Sequence, residues 1–415
     1  MDKLIQAQGN WVTGDRFWGR ETDIKLFIER LNEGAHTRLL AQRRMGKTSL
    51  MRETALRIKD RYICLFVDLQ KSSSPEDAIV ELSLAVRPYQ SLWGKGRQVF
   101  TNILSSVADR TDEFNVSELG FKLRAGLTGG NWMEKGDQLF AVLAGSEKPV
   151  VLLMDEVPIL VNRILKGEDF TITPQRRAET DRFMSWLRDN SIRHQGKVRI
   201  VLSGSIGFEP ILSRVQLSAT LNTFPPFELK PWNNETAIGC LNALANQYGV
   251  RFQSDAPERM VEHLGCNIPH HVQMFFSHAY EWCKRRGRME FGEADVDAVY
   301  EKEMLSTRGH AELTHYEERL KLVLDPETFP LALDILTEAA VTGRLSRDAL
   351  AALEIFYPFT ERSTTEAQKE ILHLLEHDGY LTLKNNGYVF VSRLVRDWWK
   401  ARYGFSYVPV SERGG

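Results

Sequence analysis

Residues 41–48 bring a glycine, a lysine and a threonine together at a spacing that can do chemistry. Ala41, Gln42, Arg43, Arg44 and Met45 lead into Gly46, Lys47 and Thr48, which is the phosphate-binding loop pattern with alanine in place of its first glycine. Each retained residue has a task. Gly46 lets successive main-chain N–H groups close around an oxyanion. The Lys47 ammonium reaches the β- and γ-phosphates, and the Thr48 hydroxyl ligates Mg²⁺. Arg44, Met45 and Ser49 belong to the same turn, and Arg43 and Arg44 are open to two readings, phosphate or partner contact and simple solvation. A chance Gly-Lys-Thr turn capping a helix is the competing explanation of the whole motif, and its flanks argue against it. Residues 37–40 read as a strand, while Leu50, Met51, Ala55, Leu56 and Ile58 share one face of a helix running from 48 to about 58. That helix adds the positive end of its dipole. Ala41 is compatible with the loop at negative φ.

Asp155 and Glu156 end the apolar run that starts at Pro149. Phosphoryl transfer needs such a pair, one acid (Asp155) in the Mg²⁺ shell and its neighbour (Glu156) to orient and activate water. Alone, the two acids would equally suit a helix cap. Beside the phosphate loop they fit a nucleotide site, because such sites gather at strand carboxyl ends. Ser203 and Ser205 end the next apolar run, 197–203, where a side chain at Ser205 can sense the γ-phosphate; a plain Ser-Gly-Ser turn explains them equally well. Arg188 and Arg214 are candidates for an arginine that stabilises the transition state, supplied in cis or by a neighbouring subunit.

The elements that must position these residues alternate. Strands are expected at 37–40, 61–68, 149–155 and 197–203, and helices at 22–31, 48–58, 76–86, 137–144 and 179–190. Near-continuous apolar strands between helices predict a parallel α/β sheet covered on both faces. Residues 87–136 look like an irregular insertion, with 114–123 alternating as a strand or hairpin. From Asn234 to about Met304 everything reads as helix, and 306–310 reads as a linker. Helices then lead to two alternating strands around Asn385, Asn386 and Gly387, a hairpin signal; three helices and such a hairpin make a winged helix. The expected divisions are 1–232 for the core, 233–308 for a helical lid and 309–415 for the winged helix.

Composition sets bounds. A chain of 415 residues with 43% hydrophobic and 26% charged content and a net charge of -2 describes an ordinary soluble protein of two or three domains. No apolar run approaches a membrane span, and the start lacks a signal-peptide core. The four cysteines, Cys64, Cys240, Cys266 and Cys283, form no CxxC pair and suit free thiols in a reducing compartment, so a cytoplasmic location is expected.

Five segments in this order, 17–21 (Phe-Trp-Gly-Arg-Glu), 43–49, 152–156, 202–205 and 265–269, together resemble the archaeal-type P-loop ATPases of the STAND/AAA+ lineage, relatives of origin-recognition-type initiators. The resemblance implies an AAA-like P-loop NTPase sheet, a helical lid and a winged helix, with ATP and Mg²⁺ as cofactors. It implies that Phe17, Gly19 and Arg20 pack near adenine, that the turn from Gly265 to Pro269 closes over the base, and that Ser205 is the sensor on the fourth strand. This sequence departs from that pattern at Ala41, and at His270 and His271, where hexameric motors carry a sensor arginine. Metal binding by the two adjacent histidines lacks the usual spacing, and a polar helix start is the expected reading.

These features imply a Mg²⁺-dependent switch that binds and hydrolyses ATP, its nucleotide state read by a protein partner or by a second copy of itself. The alternative is an ATP-dependent, DNA-binding initiator or loader, and a third reading is a nucleotide-bound scaffold with little turnover. The expected recognition helix, 364–377, carries Glu366, Glu370 and Glu376 against one lysine, Lys369, which is a poor match to phosphate contact. The one basic run, 284–288, suits a solvated helix end or, more sharply, a contact with DNA or an acidic partner. Trp398 and Trp399 are expected in a core or domain interface.

Overall fold

Hydrophobic runs that alternate with amphipathic helices do close into a parallel sheet. The computed structural model describes residues 3–7, 9, 11–104, 116–306, 311–359 and 363–413. Packing divides the chain into two compact units. One comprises Glu21–Ala41 and Lys47–Leu229; the other comprises Met1–Arg20, Gln42–Gly46 and Lys230–Gly415. The chain therefore crosses from one unit to the other and back within the phosphate loop.

The first unit is built on strands β1 (Thr37–Leu40), β2 (Ile63–Asp68), β3 (Val150–Asp155), β4 (Val198–Ser203) and β5 (Pro226–Glu228), in the spatial order β2-β3-β4-β1-β5. Every neighbouring pair is parallel. In β3 all residues from Val150 to Met154 are buried, and in β4 all six are, because helices cover both faces. After β1 the chain travels to the far edge at β2 and returns through β3 and β4. All strand carboxyl ends thus lie on one edge of the sheet, with Asp68 in register with Asp155. Helix α1 (Glu21–Asn32) precedes β1 and α2 (Lys47–Ile58) follows it; α3 (Pro75–Val86) has Ser74 as its N-cap, accepting from the Asp77 N–H.

The region expected to be irregular is helical among its described residues, with α4 (Gln90–Val99), α5 (Thr101–Leu104), α6 (Val116–Gly126) and α7 (Trp132–Ala144). The strand or hairpin expected at 114–123 is overturned from Val116 onward. Leu119, Leu123 and Leu127 recur at helical spacing and are buried, whereas Phe121, which created the apparent alternation, is exposed. Residues 114 and 115 lie outside the described residues. Helix α8 (Val157–Lys166) follows β3, and α9 (Pro174–Arg193), longer than its expected 179–190, returns to β4. Helix α10 (Phe208–Ser213) follows β4.

In the second unit, α11 (Asn234–Tyr248), α12 (Ala256–Leu264), α13 (Pro269–Arg285) and α14 (Glu293–Val299) form the helical segment. It is not wholly helical as expected. Arg251–Phe252 (β6) and Glu290–Phe291 (β7) make a parallel pair, and two residues are too few to leave a periodic signature. Beyond residues 307–310, which lie outside the described part together with most of the expected linker, come α15 (His315–Val323), α16 (Thr328–Thr342), α17 (Arg347–Phe356) and α18 (Thr364–His377). An antiparallel hairpin follows, β8 (Leu381–Lys384) with β9 (Gly387–Phe390), and then α19 (Arg393–Tyr403). Asn385 and Asn386 both take positive φ, as the tight two-residue turn requires. Trp398 and Trp399 are fully buried, edge to face, with the Trp399 indole donating to Thr337 at 3.2 Å. No described helix is long and apolar enough to cross a membrane.

Gly265 shows how tightly the helical segment meets the C-terminal helices. It ends α12 at φ 65°, and a Cβ there would lie 2.8 Å from Arg393 Cβ and 3.0 Å from its main-chain nitrogen, at the start of α19. The Leu264 carbonyl accepts from the Ser392 hydroxyl at 3.3 Å. Replacing Gly265 with alanine is expected to destabilise the protein by roughly 1–3 kcal/mol through strain and backbone displacement, read as a lower urea midpoint in circular dichroism.

Candidate functional site

The candidate residues divide between the two units. In the sheet unit, Lys47 opens α2 directly after the loop and Thr48 sits one residue into it, so the free N–H groups of the helix start belong to the same short stretch as both side chains. Thr48 Oγ1 donates to Asp155 Oδ2 at 2.7 Å, and Asp155 Oδ1 accepts from the Glu156 N–H at 3.1 Å. Lys47 is buried, its ammonium donating to the Ala41 carbonyl at 2.8 Å. Ala41 avoids positive φ, so the alanine is tolerated in place of glycine.

Glu156 is the strained member. It takes the left-handed conformation, φ 60° and ψ 27°, at the N-cap of α8, a state that costs a non-glycine residue about 1–3 kcal/mol. The strain turns its carboxylate toward the end of β4, where Oε2 accepts from both the Ser205 N–H and the Ser205 hydroxyl at 2.8 Å. Gly204 makes this possible, since a Cβ there would strike the Pro158 ring at 2.4 Å. Burial raises the Glu156 carboxyl above its usual range, and the neighbouring Asp155 charge adds to the shift, while the Ser205 hydrogen bonds and the Lys47 charge oppose it. A carboxylate of raised basicity is a better acceptor of a proton from water. The structure thus separates the two serines of the turn after β4. Ser205 meets Glu156, whereas Ser203 is fully buried.

The oxygen pair of Thr48 and Asp155 suits Mg²⁺, which is held by one or two protein oxygens and completes its shell with water and phosphate oxygens. Among the described residues no cluster of three or more His, Cys, Asp or Glu offers a full protein cage for another metal. Arg52, one turn along α2, lies over the Phe66 ring at 4.4 Å; burial lowers its pKa and the charges of Asp155 and Asp68 resist this. No spacing rule had singled out Arg52, although its i+4 position from Thr48 was legible. Arg188 and Arg214 are both exposed on this unit.

In the other unit, Arg44 at φ 67° and Gly46 at φ 89° supply the left-handed turns that let the loop wrap. Met45 is buried, and its carbonyl accepts from Arg20 Nη2 at 3.2 Å; Arg20 Nη1 donates to the Lys230 carbonyl at 2.8 Å. Arg20 therefore props the loop backbone. Gly19, at φ 68°, has no room for a Cβ, which would lie 2.4 Å from Thr236 Cγ2, and the Trp18 indole donates to the Thr236 carbonyl at 3.0 Å. Phe17 is half-buried beside them in sequence. Pro269 is the first residue of α13, and the Asn267 carbonyl accepts from the Trp232 N–H at 3.0 Å. The helix start expected at His270 and His271 is there, since α13 begins at Pro269, but it is not a solvated polar face. His271 is fully buried because α13 packs on nearly every side, and His270 is half-buried.

The basic run at the end of α13 is largely spent on intramolecular partners. Arg285 pairs with Glu281 and Glu303, Arg288 with Asp295, and the Arg286 guanidinium lies 3.2 Å from the centre of the Trp282 ring. On α18, Glu366 completes a capping box with Ser363.

No protein-family model matches the sequence, and no curated protein matches it significantly. Solved structures do resemble it. The Walker-type ATPase PABY2304 of Pyrococcus abyssi superposes with a TM-score of 0.61 at 17% identity, over 94% of this chain and 98% of that one. The ORC2 protein of Aeropyrum pernix, solved with ADPNP and ADP, gives 0.52 at 14% identity over 92% and 93%. The chain thus has the fold of these archaeal P-loop proteins, an AAA-like α/β sheet with a long helical C-terminal portion.

Because Thr48 Oγ1 hydrogen-bonds Asp155 Oδ2, Thr48→Val is expected to lower the stability of the ligand-free protein by about 1 kcal/mol and Thr48→Ser by much less, measured by chemical denaturation.

Proposed function

We propose that this protein is a Mg²⁺-dependent ATPase that works as a switch. The observation that carries the reading is the constellation at the strand ends: Lys47 and Thr48 at the head of α2, Asp155 hydrogen-bonded to Thr48, and Glu156 held by Ser205. Its order along the chain and its place on the sheet match what phosphoryl transfer requires. The Walker-type ATPase and the nucleotide-bound initiator among its structural neighbours support nucleotide binding on the same fold.

In this reading the loop N–H groups and Lys47 bind the triphosphate, while Thr48 and Asp155 hold Mg²⁺, which would supply charge neutralisation at the β- and γ-phosphates. Ser205 positions the Glu156 carboxylate, which orients the attacking water and accepts its proton. Arg20 braces the loop through Met45, and Phe17, Gly19 and Pro269 belong to the adenine side. The domain scheme is a core at 1–232, a lid at 233–308 and a winged helix at 309–415, with the nucleotide state governing the lid and winged helix. A protein partner or a second copy of the chain reads that state, and the setting is cytoplasmic. A DNA-loading role gains little, because the basic run at 284–288 is already engaged by acids and a tryptophan.

Lys47→Ala is expected to abolish ATP binding, at least a 100-fold rise in Kd by titration calorimetry with Mg²⁺ present, a loss of about 2.7 kcal/mol. Retained affinity in that variant would remove the assignment. Glu156→Gln is expected to bind ATP normally and hydrolyse it at least about 100-fold more slowly in single-turnover assays, the scale of a lost general base. Equal rates in the variant and the parent would take Glu156 out of the chemistry.

A further inference from the structure

The phosphate loop touches more than its own helix. Gly379, just after α18, has φ 74°, and a Cβ on it would overlap the Gln42 side chain, 1.9 Å from Cδ. No other glycine in the described chain is approached so closely. The seat that receives Gln42 is rigid. Asp378 is buried and ion-paired with Arg319 of α15 at 3.0 Å, and the Tyr380 hydroxyl donates to the Tyr316 carbonyl of the same helix at 2.7 Å. The next loop residues, Arg43 and Arg44, lie within electrostatic reach of three histidines, His270 and His271 on α13 and His315 on α15.

Two of these histidines are enclosed. His271 is fully buried and His315 is 6% exposed. His271 Nε2 meets the Tyr316 hydroxyl at 3.4 Å and His315 Nδ1 meets the Glu312 carbonyl at 2.9 Å, while His271 Nδ1 and His315 Nε2 have no hydrogen-bond partner among the described residues. Facing the cluster are Arg43 and Arg44 from the loop, Cys266 from the turn before α13, His278 of α13 with Glu312, Tyr316 and Arg319 of α15, and His377, Asp378 and Tyr380 from the approach to the hairpin. Glu312 and Asp378 aside, these groups are cationic, neutral or able to become cationic. Asp378 is already committed to Arg319, and Glu312 to His278.

We infer that the seat formed by α13, α15 and the Asp378–Tyr380 segment clasps the phosphate loop through Gln42, Arg43 and Arg44, and that protonation of His271 and His315 opens this clasp. Burial is the main cause holding these histidines neutral, with the loop arginines adding to it; His270 is lowered to about 4, His315 to about 2, and His271 well below its usual value. The sign follows from linkage. A histidine whose pKa is depressed in the closed form favours that form above its free pKa of about 6.5 and progressively disfavours it as pH falls from there toward the closed-form value. At pH 5 each such histidine shifts the equilibrium about 30-fold toward the open form, so the two enclosed ones together give about 1,000-fold. The consequence for ATP, a loop freed to exchange its nucleotide in acid, rests on the function proposed above. The clasp itself does not.

The test is hydrogen exchange with mass spectrometry on the full chain without nucleotide, at pH 7.5 and pH 5.0, with rates divided by their intrinsic values. Protection in peptides covering 41–47 and 376–384 is expected to fall at least 10-fold in acid while β3 and β4 stay protected. The triple variant His270→Gln, His271→Gln and His315→Asn should abolish the loss. Should that variant fail to fold, His271→Gln alone and His315→Asn alone should each reduce the loss at pH 5.0 about 30-fold. Protection unchanged in the parent, lost equally in the histidine variants, or lost throughout β3 and β4 at the same pH would each overturn the clasp.

Discussion

A single hydrogen bond, Thr48 Oγ1 to Asp155 Oδ2, ties the start of α2 to the end of β3 across 107 residues of chain. It exists because β1 and β3 run parallel in one sheet with β4 between them, so both carboxyl ends open on the same edge. An antiparallel arrangement would send one of the two ends to the opposite edge. Everything proposed about the site, from metal ligation to the role of Glu156, presupposes that parallel geometry. The buried runs of β3 and β4 enforce it, since strands apolar on both faces have to be covered by crossover helices.

Around that bond the site is arranged by constraint. Glu156 occupies a backbone conformation that disfavours it, and the compensation is a carboxylate doubly bonded to Ser205, one strand away. Arg20 acts similarly in the other unit, with a buried guanidinium divided between two main-chain carbonyls, one of them inside the phosphate loop. Neither contact adds much net stability by itself. Their value lies in fixing backbone and side chain where chemistry needs them.

The phosphate loop also belongs to two packing environments. Its flanks are part of the sheet unit, while 42–46 pack with the C-terminal residues. A loop shared in this way cannot change its backbone without disturbing Gln42 against Gly379 or Arg44 against the Gly9 carbonyl.

By itself the sequence determined the parallel sheet, the loop, the acid pair and the hairpin, because each leaves a local mark: strands with unbroken apolar runs, glycine and lysine at fixed spacing, two asparagines where φ must be positive. It misread 114–123, where Phe121 mimicked a strand alternation that an exposed position on α6 explains, and it missed β6 and β7, too short to carry a period. Only the tertiary structure decided that Ser205 rather than Ser203 meets Glu156, that Arg20 braces the loop, and that His271 lies in the core. Those facts depend on which distant elements pack together. A histidine beside a proline looks the same in a sequence whether its helix faces water or is enclosed on every side.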